Sequence, residues 1–305
     1  MSGAASGLAV SAISRCGLHH VHLQGIMEFI TTARELSAAL SGSGNPAQVG
    51  FVPTMGALHQ GHISLVERAV RENETVVVSI FVNPTQFNNI SDLELYPRTL
   101  EADLKLLEAT GCRYVFAPSV EEIYPEPDNR KFDFGNLGMA MEGQFRPGHF
   151  NGVAQVVSRL FSIVEPSKAY FGLKDFQQLA IIREMVRQLH LPVEIVPCEI
   201  VREQGGLAMS SRNERLSAEG RRNASRIYQV LSGSENLTGS FSVADLAAWI
   251  TREINKNPFL SVEYVEIVDE TTLGKVIHWQ QPGRKVVCVA VWCENVRLID
   301  NFIIN

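Results

Sequence analysis

The sequence predicts an α/β protein in which a doubly wound parallel sheet is followed by a smaller α+β domain. Between Gly50 and about Val201, apolar runs of strand length alternate with segments of helical periodicity, as in parallel sheets covered by helices. Near residues 203–206 this alternation stops at a Gln-Gly-Gly sequence typical of a hinge. We therefore expect one domain over residues 27–203 and a second over residues 204–305.

The strands of the first domain are apolar throughout rather than alternating. The clearest is TVVVSIFV at residues 75–82, whose β-branched residues predict a strand buried on both faces. The segments between strands repeat apolar residues every three or four positions, as helices do. Along the chain we expect strands at 49–53, 75–82, 114–117, 169–171 and 193–197, and helices at 62–71, 100–109, 153–164 and 176–189.

The second domain is predicted to combine two helices with a small sheet. Amphipathic patterns cover residues 218–231 and 243–254. Two apolar runs of strand character follow at 262–268 and 286–292, and residues 297–299 are the candidate for a third strand. The second half of the chain therefore has mixed α+β character, in contrast to the regular alternation of the first half.

The composition is that of an ordinary globular protein. Of the 305 residues, 45% are hydrophobic and 20% are charged, and the formal net charge of −6 does not favour a nucleic-acid partner. No apolar stretch reaches the ~18 residues that a membrane-spanning helix needs, so no membrane partner is expected. The five cysteines form no C-x-x-C pair, which indicates reduced thiols in a cytoplasmic protein.

Residues 1–26 differ from the rest of the chain because they are rich in Ser, Gly and Ala and contain no acidic residue. They lack the basic start of a secretory signal peptide. An organellar transit peptide is the alternative, but Arg15 is the only arginine in the segment. We expect a flexible N-terminal extension, with the folded domain beginning at Met27.

The most informative segment joins a predicted buried strand, ending at Pro53, to the start of a helix. Ligands of open parallel sheets bind at the carboxyl ends of strands, and helix N-termini offer free N–H groups to phosphate. Gly56 and Gly61 would let a ligand approach the backbone closely. His59 and His62, three residues apart, would face the same ligand and, as imidazolium ions, donate to phosphate oxygens during phosphoryl or nucleotidyl transfer.

On its own the H-x-x-H spacing is more typical of surface or metal-binding histidines. The flanking glycines and the preceding strand favour a nucleotide instead. The chain has no G-x-x-x-x-G-K-[ST] sequence, which excludes a P-loop.

Polar side chains also follow the most buried strand. Asn83 and Gln86 come directly after residues 75–82, so we expect them at the ligand-binding edge of the sheet. The alternative is a polar strand end that only caps a loop. Asp103 is the candidate ligand for Mg²⁺, unless it is merely a charge in the first turns of a surface helix.

A third segment, Gly172-Leu173-Lys174-Asp175, again links a strand to a helix. Lys174 supplies a point charge for a phosphate, and Asp175 can either cap the helix or hold Mg²⁺. Gln178, three residues further on, would face the same side.

A fourth segment, Met209-Ser210-Ser211-Arg212-Asn213, follows the predicted hinge. Two hydroxyls and a guanidinium on a mobile loop suit a triphosphate that must be clamped and released. The alternative is an N-capped helix start. Arg146, in the sequence FRPGHF, is a further loop cation and is ambiguous by itself.

Together these segments resemble a known group of enzymes. Residues 53–62 resemble the H-x-G-H signature of the nucleotidyltransferase superfamily that includes class I aminoacyl-tRNA synthetases, and residues 209–213 resemble its mobile second signature loop. The strings FVNPTQF, YPRT, EGQFRPGHFNGV, YFGLKDFQQL, LAMSSRN and RLIDN are similar to those of the pantothenate synthetase (pantoate–β-alanine ligase) family. The match runs in order from about residue 27 to residue 301.

The resemblance implies a Rossmann-like first domain, a C-terminal lid domain, a homodimer and a requirement for ATP and Mg²⁺. It implies a carbon–nitrogen ligase that makes pantothenate for coenzyme A biosynthesis in two half-reactions. Pantoate would first react with ATP to give pantoyl adenylate and pyrophosphate, and β-alanine would then displace AMP.

The family's roles carry over to the matching positions. His62 takes the proton-donor position, and the other residues expected in catalysis are His59, Lys174, Ser210, Ser211 and Arg212. The residues expected to bind pantoate are Gln86 and Gln178, with Asn83 and Arg146 nearby. ATP is expected to contact Met55, Gly56, Ala57, Leu58, His59, Gln60, Gly61, His62, Gly172, Leu173, Lys174, Asp175, Val201, Met209, Ser210, Ser211 and Arg212, with Val201 beside the adenine.

The sequence differs from the family pattern in two places, and two alternative functions are considered. Leu173 replaces a residue that is often polar in the family, and residues 1–26 have no family counterpart. One rival is a nucleotidylyltransferase that joins ATP to a phosphate monoester, which would have no evident use for Gln86 together with Gln178. The other is a non-catalytic nucleotide- or metal-binding protein, which would be expected to lack Lys174, His62 or Arg212.

Overall fold

The structure is a computed structural model that describes residues 27–42, 48–87 and 93–304. The predicted extension over residues 1–26 lies outside the described residues. The described chain forms a parallel sheet with the strand order β1-β4-β3-β2-β5-β6. Its strands are β1 (Glu28–Ile30), β2 (Val49–Thr54), β3 (Thr75–Ile80), β4 (Tyr114–Phe116), β5 (Lys168–Gly172) and β6 (Glu194–Cys198).

Helices cover both faces of this sheet, which confirms the predicted doubly wound α/β fold. Along β2, Phe51 packs into one apolar cluster and its neighbour Val52 into another, because successive side chains of a strand point to opposite faces. The helices of this part are α1 (Ala33–Gly42), α2 (Gln60–Glu72), α3 (Leu100–Glu108), α4 (Val120–Ile123), α5 (Glu142–Phe145), α6 (His149–Val164) and α7 (Phe176–Gln188).

The order of the strands creates a switch point between β2 and β5. The chain leaves β2 through α2 toward β3 on one side, and leaves β5 through α7 toward β6 on the other. The two connections therefore diverge and leave a crevice at the carboxyl ends of these neighbouring strands. The turns that follow β2 and β5 are the first and third segments singled out in the sequence.

The C-terminal part contains an antiparallel sheet and three α-helices within the described residues. The sheet is formed by β7 (Leu260–Asp269), β8 (Lys285–Cys293) and β9 (Val296–Ile304), in that order. The helices are α8 (Ala218–Ala224), α9 (Arg226–Ser234) and α10 (Val243–Asn255). The single helix predicted at 218–231 is wrong, because the helix is divided at Ser225, which ends α8 and begins α9.

An apolar cluster joins the two parts of the chain. Met141 and Phe176, from the first part, pack with Val268, Val286 and Cys288 of the antiparallel sheet. Since this sheet lies against α7, its last strand can reach the turn that follows β5. Among the residues described, no helix is both long and apolar enough to cross a membrane.

Candidate active site

A cleft of about 220 Å³ opens at the carboxyl ends of β2 and β5. All four predicted segments, together with Val201, contribute residues to its walls. The predicted residues that line it are Met55, His59, Gly61, His62, Asn83, Gln86, Gly172, Lys174, Asp175, Gln178, Val201, Met209, Ser210, Ser211 and Arg212.

Other predicted residues belong to the same turns without forming the wall of the cleft. Gly56, Ala57, Leu58 and Gln60 lie between β2 and the first turn of α2, and Leu173 lies directly after β5. Direct contact of these residues with ATP stays a prediction.

The two histidines form the N-terminal cap of α2. His59 is the N-cap residue, and its Nδ1 accepts a hydrogen bond from the backbone N–H of Gly61 at 3.1 Å. The Nδ1 of His62 accepts in turn from the backbone N–H of His59 at 3.3 Å. This reciprocal capping box holds the two rings 4.1 Å apart, centroid to centroid, and orients both.

The capping bonds also decide which ring nitrogen carries the proton. A nitrogen that accepts a hydrogen bond from a backbone N–H holds no proton, so each neutral ring is protonated at Nε2. His59 and His62 both line the cleft. Each therefore has an Nε2–H donor for a ligand while its Nδ1 holds the helix.

Burial keeps both rings neutral when no anion is bound. Burial, reinforced by Lys174, lowers the pKa of His59 to about 4. Burial, with His59 and Lys174 adding to it, lowers the pKa of His62 to about 3. In the unliganded protein the donors are therefore neutral Nε2–H groups, and the expectation that imidazolium ions meet the bound phosphates stays a prediction.

The carboxylate of Asp103 holds the turn that precedes the capping box. It is 2% exposed, and it accepts hydrogen bonds from the backbone N–H groups of Ala57 (2.9 Å) and Leu58 (2.8 Å). Thr99 adds a third bond, from its hydroxyl at 3.2 Å. The surface-charge interpretation is therefore wrong, because Asp103 is buried and its carboxylate positions the backbone of this turn. Its role as a ligand for Mg²⁺ stays a prediction.

Asn83 supports Gln86 and is itself fully hydrogen-bonded. Its amide donates to the carbonyl of Gly152 (3.1 Å) and to Oε1 of Gln86 (3.3 Å), and its Oδ1 accepts from the hydroxyl of Tyr124 at 3.0 Å. The amide group of Gln86 is thereby oriented with Nε2 toward Met55 Sδ, 2.7 Å away. Asn83 therefore orients Gln86, and its own contact with a substrate stays a prediction.

Arg146 lies in a neighbouring cleft of about 430 Å³ that shares Lys174, Asp175 and Arg212 with the first. Its guanidinium donates to Nε2 of His149 at 3.1 Å, and Nδ1 of His149 donates to the carbonyl of Gln86 at 2.8 Å. Arg146 therefore connects to the backbone of Gln86 through His149, and its direct contact with a substrate stays a prediction.

The turn after β5 presents Lys174 and Asp175 to the cleft. Asp175 occupies the N-cap position of α7, but its side chain makes no capping hydrogen bond with the described residues of that helix. The prediction that Asp175 caps the helix is therefore wrong. Gln178 lines the cleft, whereas its neighbour Gln177 is buried and donates to the carbonyls of Leu137 and Ala140. Adjacent positions of α7 therefore have different roles, since Gln178 faces the cleft and Gln177 holds the neighbouring backbone.

The segment after the predicted hinge forms a short 3₁₀ turn, Ser211–Arg215. The Ser210 hydroxyl caps this turn by accepting a hydrogen bond from the backbone N–H of Arg212 at 3.3 Å, as the N-cap alternative predicted. Ser210, Ser211 and Arg212 nevertheless also line the cleft. Buried Asn213 donates to Glu203 (2.7 Å) and to the carbonyl of Ala208 (3.1 Å). These two bonds tie the turn to the strand-like segment that leads into it.

Comparison with known proteins agrees with this geometry. A sequence model of the Pantoate-beta-alanine ligase family matches residues 26–303. The pantothenate synthetase of Bacteroides fragilis (strain YCH46) is 58% identical over 276 residues, covering 90% of this chain and 98% of that protein. The chain belongs to the pantoate-beta-alanine ligase family.

Solved structures of relatives share the architecture of this ligase. The crystal structure of pantothenate synthetase from Thermus thermophilus is 46% identical, with a TM-score of 0.84 over 90% of this chain and 99% of that one. The Francisella tularensis ligase, solved in complex with beta-gamma ATP and beta-alanine, is 34% identical, with a TM-score of 0.77 over 91% and 97% of the two chains. The reaction of the ligase is the joining of pantoate to β-alanine to form pantothenate.

Several residues of the site escaped the sequence-based reasoning. Tyr96 lines the cleft, and its hydroxyl oxygen lies 3.5 Å from Oγ of Ser211. The YPRT string, which begins at Tyr96, was the sequence feature that could have identified it. His149 was part of the string FRPGHF, from which only Arg146 was selected. Asp103 was selected, but no sequence signal indicated that its partners would be backbone amides.

Replacing Asp103 with Asn should destabilise the ligase in the absence of ATP and Mg²⁺. A carboxamide has one oxygen to accept from two backbone amides, and losing a bond to a charged acceptor costs about 1.5–3 kcal/mol. Urea unfolding measures the loss, with Glu101→Gln, in the same first turn of α3, as the matched control. An unchanged free energy of unfolding, combined with a raised Mg²⁺ requirement for the reaction, would contradict the positioning role and favour the metal-ligand role.

The pH dependence of stability should report the buried histidines. An unfolded histidine titrates near pH 6.5, whereas His62 in the folded ligase has a pKa of about 3. Below pH 6.5 the unfolded state therefore binds a proton that the folded state does not, so stability is full above pH 6.5 and falls as the pH drops. At pH 5 this difference lowers the free energy of unfolding by about 2 kcal/mol for His62 alone.

His62→Gln is the variant that isolates this effect, because Gln at the third helical position can still complete a capping box. Urea unfolding at pH 7.5 and at pH 5 should show a smaller drop for the variant than for the natural chain. Equal drops would mean that the pKa of His62 is not depressed.

Proposed function

We propose that this ligase activates pantoate with ATP at the cleft between β2 and β5 and forms pantothenate through a pantoyl adenylate. The proposal depends mainly on one observation: three segments suited to binding anions line the same cleft. These are the capped histidines after β2, Lys174 after β5, and the Ser210–Arg212 turn. Gln86 and Gln178 adjoin them in the same cleft and supply the polar groups for pantoate.

In the first step a carboxylate oxygen of pantoate attacks the α-phosphorus of ATP. The bond from the α-phosphorus to the bridging oxygen breaks and pyrophosphate leaves. The Nε2–H donors of His59 and His62, with the ammonium of Lys174, stabilise the charge that grows on the phosphate oxygens. The negative charge of bound ATP raises the pKa of both histidines, so that His62 can take up a proton and act as the proton donor.

Pantoate fits the part of the cleft that holds Gln86 and Gln178. The two carboxamides donate to its carboxylate and hydroxyl oxygens. Val153 and Val157, on α6, provide an apolar wall for its dimethyl-substituted carbon. This combination of paired amides and an apolar wall favours a small branched hydroxy acid over a phosphate monoester, which needs cations rather than carboxamides.

In the second step the amine of β-alanine attacks the acyl carbon of the adenylate. The bond from that carbon to the AMP oxygen breaks, the amine loses a proton, and pantothenate and AMP are released. The Francisella tularensis relative was solved with beta-gamma ATP and beta-alanine, which supports ATP and β-alanine as the substrates of this chain as well.

Magnesium enters as the complex with ATP in this proposal. In the described part of the chain, no three metal-ligating side chains cluster in a way that would hold the ion by themselves. Mg²⁺ is commonly bound by one or two carboxylates together with substrate phosphates. Asp175, which lines the cleft beside Lys174, is the carboxylate that fits this arrangement, and the ion would neutralise phosphate charge there.

We further propose that residues 27–203 form the ATP- and pantoate-binding domain and that residues 204–305 form a lid. The Ser210–Arg212 turn would carry the lid's contacts with the triphosphate, and Val201 would lie beside the adenine. The family resemblance supports a homodimer. Four described cysteines, Cys112, Cys198, Cys288 and Cys293, are buried free thiols, which suits the reducing cytoplasm.

The direct test of the function is to incubate the chain with pantoate, β-alanine, ATP and Mg²⁺ and to analyse the products. Pantothenate, AMP and pyrophosphate should appear in equal amounts. ADP and phosphate in place of AMP and pyrophosphate would contradict adenylate chemistry.

Replacing His62 with Gln or Lys174 with Ala should lower the rate of AMP release by ~10²-fold or more while the chain remains folded, because preorganised donors to transition-state charge are lost. Exposed residues of the same types give matched controls, His278→Gln and Lys275→Ala. Turnover near that of the natural chain in either site variant would contradict the assigned roles.

A further inference from the structure

Strand β9 contains two polar residues that the proposed chemistry does not use. Asp300 and Asn301 are each only 5% exposed, and both lie outside the 220 Å³ cleft. Buried polar groups cost free energy unless they are hydrogen-bonded. Their partners therefore indicate why this strand carries an acid and an amide in its interior.

Asn301 holds the turn that carries Lys174. Its Nδ2 donates to the carbonyls of Leu173 (2.9 Å) and Lys174 (3.0 Å). Both hydrogens of the amide are used, so the orientation of the side chain is fixed. These carbonyls belong to the 3₁₀ turn Leu173–Asp175, and Asn301 thereby fixes the backbone from which the side chain of Lys174 extends.

Asp300 holds the segment that leads into the Ser210–Arg212 turn. Its carboxylate makes a bidentate ion pair with Arg202, with distances of 2.7 and 3.0 Å. Arg202 also donates to the carbonyl of Gly206 at 3.1 Å and lies over the ring of Tyr228, 3.9 Å from its centroid. A backbone bridge between Arg202 and Ala208 closes a hairpin that ends immediately before Met209.

Two adjacent residues of one strand thus hold the Lys174 turn and the hairpin that leads into the Ser210–Arg212 turn. A displacement of β9 would move the Lys174 turn and the residue 202–208 hairpin together. The alternative, that the pair only packs the antiparallel sheet, does not explain why both amide hydrogens of Asn301 reach across to the other part of the chain.

We propose that Asp300 and Asn301 are positioning residues that set Lys174 and the Ser210–Arg212 turn relative to each other for binding the ATP phosphates. The proposal rests on the proposed function, because it requires these two segments to contact the phosphates. Neither residue touches the reacting atoms. Asn301 acts through Lys174, and Asp300 acts through Arg202.

The substitution Asn301→Asp tests the proposal with little change in size. It replaces two N–H donors with a carboxylate that faces two carbonyl oxygens. In isothermal titrations of the full chain with ATP and Mg²⁺, we expect about 10-fold weaker binding, in line with the loss of buried hydrogen bonds. The KM for pantoate should stay unchanged, because Asn83 orients Gln86 independently of β9 and Gln178 extends from the helix α7 rather than from the turn.

A matched control is Asn257→Asp, which makes the same change elsewhere in the C-terminal part. The Asn257 amide donates to Asn223 rather than to the site. ATP binding by this variant should equal that of the natural chain. Asn301→Ala, which leaves the two carbonyls unpaired without adding charge, provides a second variant that should weaken ATP binding in the same direction.

A double-mutant cycle separates positioning from general structural damage. If Asn301 acts through Lys174, then Asn301→Asp should weaken ATP binding little further in a Lys174→Ala background. Fully additive losses, or unchanged ATP binding in both Asn301 variants, would overturn the proposal. Pantoate-dependent turnover of the natural chain is measured in the same preparation, because its absence would count against the proposed function itself rather than against the positioning role.

Discussion

The hydrogen bonds that hold the turn between β2 and α2 are the constraint on which the site depends. The turn places Gly56 (φ +78°) and Ala57 (φ +49°) in the left-handed region, which costs free energy at a residue with a side chain such as Ala57. The two bonds to buried Asp103 offset that cost. This turn places His59 at the N-cap position of α2, where the reciprocal hydrogen bonds of the capping box fix the rings of His59 and His62.

One consequence is that the two nitrogens of each ring are available for different roles. Nδ1 of each histidine stabilises the start of α2, and Nε2 is left for the ligand. The site therefore needs no separate residues to orient its donors. Because both pKa values are depressed, the unliganded cleft avoids placing imidazolium charge beside Lys174.

The parallel fold and several site residues were predictable from the sequence because they depend on local patterns. Continuous apolar runs such as residues 75–82 signal buried parallel strands, and polar residues directly after them mark the ligand edge. The remaining features depend on contacts between distant segments, which periodicity does not report. The bonds of Asp103 to the Ala57 turn, of Asn83 to Gln86, and of Asn301 to the Lys174 turn are of this kind, and so is the full length of β9, whose apolar pattern is interrupted by Asp300 and Asn301.

We propose that the capped histidines, Lys174 and the paired glutamines form one site for making an acyl adenylate. The most direct test is the exchange of labelled pyrophosphate into ATP, with Mg²⁺ and without β-alanine. We expect exchange only when pantoate is present, because pyrophosphate can re-form ATP only from the pantoyl adenylate. Exchange without pantoate, or exchange supported by a phosphate monoester but not by pantoate, would contradict it.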